Sequence, residues 1–146
     1  VKKTFLILLL VLSAWLIAYP AFAADNPSTS SQLGVVASQS FQTIQSGYSS
    51  IEANYDSSVT IYGYTRAYYP VTQIGISFNL QYLSSDGSWV TLRTYTYSNY
   101  YSDYISKTIV VPVSSGFFYR VVTEHFTVDN GIRESGITQT QSVYVV

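Results

Sequence analysis

The sequence predicts an all-β protein, an antiparallel β-sandwich of about seven strands, and three observations carry that expectation. Past residue 47 the chain is rich in Tyr, Val, Ile and Thr, which suit a pleated, half-buried surface. Apolar and polar residues alternate with period two through this region, and Gly, Asn and Pro turn signals separate the runs at regular spacing. Beyond the first 23 residues no stretch has a helical apolar period, so the crossovers that a parallel sheet needs are missing.

The elements follow in order. Residues 48–55 and 59–68 read as two strands parted by Asp56-Ser57-Ser58, the second closed by Pro70. In that second strand Val59, Ile61, Gly63, Thr65 and Ala67 oppose Thr60, Tyr62, Tyr64, Arg66 and Tyr68. Both faces have a claim to the interior, and the small set fits beneath an opposing sheet. The clearest strand is 72–83, where Ile74, Ile76, Phe78, Leu80 and Tyr82 alternate with Gln73, Gly75, Ser77, Asn79 and Gln81. Asp86-Gly87 then signals a hairpin, with 89–97 returning as the partner strand. Residues 105–113 carry Ile109, Val111 and Val113 on one face and Pro112 on the other; a residue without an N–H places this strand at an edge or a strand end. Ser114-Ser115-Gly116 leads into 117–128, and Asp129-Asn130-Gly131 turns the chain into 133–146.

Three regions precede or make up this domain. Lys2 and Lys3, the apolar run from Phe5 to Ala18 and the small residues of Ala21-Phe22-Ala23 form a secretory signal peptide, 1–23, with cleavage expected before Ala24. The run is too short and wrongly flanked for a membrane span, so the remaining chain is expected to be extracellular with no membrane span after cleavage. Val1 is read as a GTG start codon, which points to a bacterial gene. Residues 24–47 are rich in Ser, Gln and Thr, with sparse apolar residues (Leu33, Val35, Val36, Phe41, Ile44), and read as a flexible arm. The β-sandwich domain is expected over 48–146.

Removing Lys2 and Lys3 with the signal leaves 5 basic against 8 acidic residues, a net charge of −3. Nucleic-acid binding needs a basic patch that displaces counterions from phosphates, so that class is excluded. The chain has no cysteine, which removes thiol nucleophiles, zinc-thiolate sites and disulfide staples, and leaves packing and hydrogen bonds to hold an exported fold. No cofactor and no metal is expected.

The segment Phe117-Phe118-Tyr119-Arg120-Val121-Val122-Thr123, followed by Asn130-Gly131 and Glu134-Ser135, resembles the sixth-to-seventh strand region of fibronectin type III-like domains. The resemblance implies an immunoglobulin-like sandwich in which Tyr119 is the tyrosine corner, its hydroxyl closing the turn between strands. Trp89 falls in the wrong strand for fibronectin type III itself, so an immunoglobulin-like variant is the expectation. The chain is also similar to small secreted proteins of Gram-positive bacteria, a family of unassigned function with Tyr- and Ser-rich strands. That resemblance implies no catalytic residues.

A hydrolase needs a nucleophile, a base and a group that orients the base. The one histidine is His125, and its neighbour Glu124 points to the opposite face of a strand, so it cannot orient the ring. Glu52, Asp56, Asp86, Asp103, Glu124, Asp129 and Glu134 are the candidate carboxylates for glycoside hydrolysis, but no spacing singles out a pair and most sit in turns. Asp86 and Asp129 lack the carboxylate density of a calcium loop. Tyrosine is the unusual enrichment. Tyr95, Tyr97, Tyr100, Tyr101 and Tyr104 crowd one stretch around an expected Ser98-Asn99 turn, with a second cluster at Tyr62, Tyr64, Tyr68 and Tyr69 beside Arg66. Tyrosine gives rigid, amphipathic contact area at low entropic cost, which suits glycan stacking or protein contacts, and the first cluster is the expected contact surface. The same residues are also ordinary strand formers.

The expectation is therefore a secreted, non-catalytic binding module whose partner is an extracellular protein or glycan. Two alternatives stand beside it: a self-assembling structural subunit whose arm pairs with a sheet edge of another copy, and a secreted hydrolase.

Overall fold

The computed structural model describes residues 41–146; the expected signal peptide and residues 24–40 of the expected arm lie outside them. Six strands fill the described residues: β1 (Ile44–Ala53), β2 (Ser58–Leu83), β3 (Trp89–Pro112), β4 (Phe117–Asp129), β5 (Ile132–Gln139) and β6 (Val143–Val145). Every pairing is antiparallel. The order is β1-β2-β4-β5, with β3 also on β2 and β6 also on β4.

The expected count of seven is corrected to six, because two pairs of expected strands are single bent strands and the last expected strand is two. Expected strands 59–68 and 72–83 are the two arms of β2, and 89–97 and 105–113 are the two arms of β3. Between the pairs Arg66–Tyr104 and Val71–Ser102 the register advances five residues on β2 against two on β3. Pro70 sits inside that bulge, where the ladder asks no donor of it, so the strand turns a corner instead of ending. Opposite it, Tyr101 takes a φ of 51°, and the Asn99 amide and Ser102 hydroxyl both donate to the Tyr104 carbonyl. The expected Ser98-Asn99 turn therefore lies within β3. The last expected strand, 133–146, divides into β5 and β6 at Thr140, whose N–H donates to the Val121 carbonyl while its hydroxyl accepts from the Val121 N–H.

The bend folds β2 and β3 back over themselves. One wall holds β1, the first half of β2 and the second half of β3; the other holds the remaining halves with β4, β5 and β6. The result is one continuous sheet curled into a half-barrel, where two separate sandwich sheets were expected. Ile51, Val59 and Ile61 from the first wall share the buried core with Ile76, Phe78, Leu80, Val121 and Val145 from the second. Each such side chain contributes about 1.5 to 3 kcal/mol by leaving water.

This curl settles which face of 59–68 points inward. Val59, Ile61, Gly63, Thr65 and Ala67 are buried, and their tyrosine neighbours are outside. A Cβ on Gly63 would lie 2.7 Å from a Phe78 ring carbon and 2.8 Å from Ile76 Cδ1, so the opposing wall already occupies that space. The small set is needed because the two walls approach closely there.

The hairpins at 84–88 and 130–131 form as their sequences predict. Asn130 and Gly131 have φ values of 49° and 78°, the pair of positive angles that a two-residue type I′ turn requires. Pro112 ends β3, which pairs with β2 alone among the described residues, so the missing N–H falls on an edge strand. Tyr119 is buried, and its hydroxyl donates to the Ser114 carbonyl at 2.8 Å across the turn from β3 to β4.

Candidate functional site

The outer face of the first wall is built of tyrosine. The β1–β2 register sets Tyr48 directly opposite Tyr64, and their rings stack with centroids 5.8 Å apart. Tyr62 lies 6.1 Å from Tyr48, two residues along β2, and Tyr104 reaches Tyr64 from β3 at 6.0 Å. Arg66 lies two residues along β2 from Tyr64, on the same face, and holds its guanidinium 5.0 Å from the centre of the Tyr104 ring. Three strands thus contribute four rings and a cation to one surface. Burial raises the Tyr62 hydroxyl above its usual pKa, helped by its hydrogen bond to Tyr104 and by neighbouring Tyr64 and Tyr48. Tyr62 therefore stays neutral at physiological pH, and the Arg66 guanidinium supplies the positive charge of the patch.

The five tyrosines expected to form the contact surface divide. Tyr100 and Tyr101 are 65% and 82% exposed, at the bend of β3. Tyr104 joins the ring cluster. Tyr95 and Tyr97 instead point inward and pack against the core, each half-buried, because β3 is a regular strand there and side chains alternate faces. Lys107, from the other arm of β3, sits 5.3 Å from the Tyr97 ring. The second cluster merges with the first: Tyr62 and Tyr64 lie in the ring group, and exposed Tyr68 and Tyr69 occupy the β2 side of the same bulge. Tyr48 was missed, since its place depends on the β1–β2 register, although its spacing from Tyr64 across Asp56-Ser57-Ser58 is that of a hairpin pair.

The acid–base candidates are committed elsewhere. His125 is 2% exposed and lies between the walls. Its Nδ1 is 2.9 Å from Thr65 Oγ1 and its Nε2 is 2.9 Å from Thr138 Oγ1. Thr65 spends its one proton on the Gly75 carbonyl, so Nδ1 carries the imidazole proton and Nε2 accepts from Thr138, which in turn accepts from Ser49. Burial pushes the ring down to about 4, against weaker upward pulls from the Tyr64 carbonyl and the Glu124 charge. Gly47 makes room for this ring, since a Cβ there would stand 2.5 Å from His125 Cγ.

Glu124 faces outward and pairs with Arg133 at 2.8 Å. Asp56 accepts from the Ser58 hydroxyl, Asp86 from Ser88, and Asp129 from Thr72. Glu134 has a different task. Its carboxylate accepts from the backbone N–H groups of Gln42, Thr43 and Ile44 and from the Thr43 hydroxyl. Burial works against its charge, yet the donors from Thr43, Gln42 and Ile44 together hold the carboxyl below its usual range. Thr43 and Ile44 are buried and β1 begins at Ile44, so ordered structure starts before the expected boundary at Tyr48.

No protein-family model, curated protein or solved structure matches this chain.

Proposed function

We propose that this is a secreted bacterial binding domain, non-catalytic, whose tyrosine and arginine surface takes up an extracellular glycan. The observation that carries the reading is the joining of two tyrosine clusters, distant in sequence, on one outer face: Tyr48, Tyr62, Tyr64 and Tyr104 with Arg66, continued at the bend by Tyr68, Tyr69, Tyr100 and Tyr101. Flat aromatic rings pack against the apolar faces of sugars while their hydroxyls and a guanidinium bond the rim, and a rigid sheet holds them in place at low entropic cost. The inner aromatics belong to the core, so the exposed rings of the bend are the contact residues of this reading. Ancestry in an immunoglobulin-like sandwich is part of the same proposal, supported by the hydrogen bond from Tyr119 to Ser114.

The test is retention of the purified mature chain, Ala24 to Val146, on cell-wall polysaccharide. Tyr100→Ala combined with Tyr101→Ala is expected to lower retention at least about tenfold, since each lost stacking ring is worth about 1 kcal/mol or more. Unchanged melting would show that the fold survives. Equal retention of variant and parent would remove this surface from consideration.

A further inference from the structure

β3 presents the longest open edge among the described strands. Among the described residues β3 pairs only with β2, which leaves one side of a 24-residue strand without a ladder partner. Its two arms are not alike. The arm from Tyr104 to Pro112 carries Lys107 and Pro112, residues that discourage a neighbouring strand. The stretch Thr94-Tyr95-Thr96-Tyr97-Ser98-Asn99-Tyr100 has no charge, proline or glycine, and its register with β2 is unbroken. β1 and β5 also have open edges, but β1 carries Gly47 and Glu52 and β5 carries Arg133, Glu134 and Gly136, while β6 is three residues long. The longest edge stretch free of charge, proline and glycine in its own sequence therefore includes 94–100, with Lys107 beside its Tyr97 ring.

The two faces of that edge state what would fit beside it. Inward, Tyr95 and Tyr97 lie against the core yet remain half-buried, as at the rim of a sheet that stops one strand short. Outward, Thr94, Thr96 and Ser98 form a polar ladder with Asn79, Ser77 and Gln73. A complementary strand needs apolar residues at one parity and small or polar ones at the other. Residues 32–38 come near this pattern: Leu33, Val35 and Ala37 alternate with Gln32, Gly34 and Ser38, and Val36 is the one apolar residue on the second parity.

Measured along the sheet, this segment falls short of its own β3. Gln42, Thr43 and Ile44 are held by Glu134 on β5. In the wall order β5-β4-β2-β3, a strand added beyond β3 lies four spacings from β5, about 19 Å at ~4.8 Å each. Ser38 is four residues from Gln42, a reach of at most about 14 Å. We propose that residues 32–38 of one copy add as an edge strand to residues 94–100 of a second copy. The donated segment and the receiving edge are different surfaces, so the interface is head-to-tail and propagates into an open chain of subunits. The interface shares only Tyr100 with the tyrosine and arginine face, and Val35→Asp leaves that residue unchanged, so the two readings are tested separately.

The experiment uses the chain from Ala24 to Val146, light scattering across a wide concentration range, and amide hydrogen exchange at the dilute and concentrated ends. Mass is expected to grow with concentration, with exchange in 94–100 slowed about tenfold or more in the concentrated sample. Val35→Asp, on the apolar parity of the arm, is expected to abolish both effects. Val36→Asp, on the other parity, is expected to leave assembly within about twofold. A monomer at every concentration would overturn the proposal, as would assembly that leaves exchange in 94–100 unchanged or that Val35→Asp does not disturb.

Discussion

His125 makes acid stability a quantitative test of the interior. The group is neutral in the fold, pushed from 6.5 down to about 4 by burial, and regains its ordinary value when the chain unfolds. Between those two values the unfolded chain binds a proton that the folded chain refuses, so stability falls as pH drops. The contribution is fully present above pH 6.5 and is lost on the way down to about pH 4. The interval corresponds to about 3.4 kcal/mol at ~1.36 kcal/mol per pH unit, of which about 2.4 kcal/mol falls between pH 7 and pH 4.5. That is a large part of the 5 to 15 kcal/mol that typically separates folded from unfolded domains. Glu134 loses its stabilisation in the same direction, but below its unfolded value of 4.5, so the upper window isolates the histidine.

The assay is urea unfolding followed by Trp89 fluorescence at pH steps from 7 to 4.5, for the parent and for His125→Gln. Gln is neutral throughout and still offers an acceptor to Thr138. The parent is expected to lose about 2.4 kcal/mol across the window relative to the variant. Parallel pH curves for the two proteins would refute the argument, and so would an imidazole that titrates near 6.5 in the folded protein.

Three further substitutions probe other joints. Tyr119→Phe removes the hydroxyl that satisfies the Ser114 carbonyl and is expected to cost about 1 to 2 kcal/mol in denaturant unfolding. Gly63→Ala drives a Cβ to within 2.7 Å of the Phe78 ring and 2.8 Å of the Tyr48 carbonyl oxygen, so it is expected to lose about 1 to 3 kcal/mol by overpacking, whereas Ala on Gly87, where a Cβ meets nothing within 4 Å, costs only its backbone strain. Glu134→Gln halves the acceptor capacity facing Gln42, Thr43 and Ile44; amide exchange in those residues is expected to quicken while 119–128 stays protected.

Local signals in the sequence were accurate about where the chain changes direction and silent about what the change does. The period-two run 72–83, the Asp-Gly and Asn-Gly hairpins and the edge position of Pro112 all depend on a few adjacent residues, and each is legible on its own. Pro70 and Ser98-Asn99 were legible as interruptions too. Whether an interruption ends a strand or bends it depends on whether the partner strand is interrupted at the same level, and that is a property of the β2–β3 register. The site shows the same division. Tyr100 and Tyr101 stand at the bend and are exposed, while Tyr95 and Tyr97 differ from them only in lying on a regular stretch whose inner face is the core. Composition assigned all five to one surface; parity separates them.

The interior has two ends of different chemistry, and the difference explains why the domain begins where it does. At one end Ile51, Ile61, Phe78, Leu80 and Val121 pack together, and many alternative packings of similar volume would bury them as well. At the other, Ser49, Thr65, His125 and Thr138 form a chain of donors and acceptors that links β1 and β2 to β4 and β5 across the interior, with Ser49 placed by the register of β1 on β2. Slipping β1 by one residue so that Tyr48 takes the place of Ser49 would remove the hydroxyl that donates to Thr138, leave Thr138 bonded to His125 alone and turn Ile51 out of the core. Thr43 extends this polar end through its hydroxyl to Thr127 and Glu134. The carboxylate of Glu134 thereby fixes the exit of the arm to the part of the interior whose alignment is most specific. In an open chain of subunits, tension along the donated arm would enter the next fold through residues 42–44. It would meet the Glu134 donors and then the β1–β2 ladder, loaded along its length from Ile44 to Ala53. That geometry shares the load among many hydrogen bonds at once, so Glu134→Gln should lower the force at which the arm detaches while leaving the rest of the half-barrel folded.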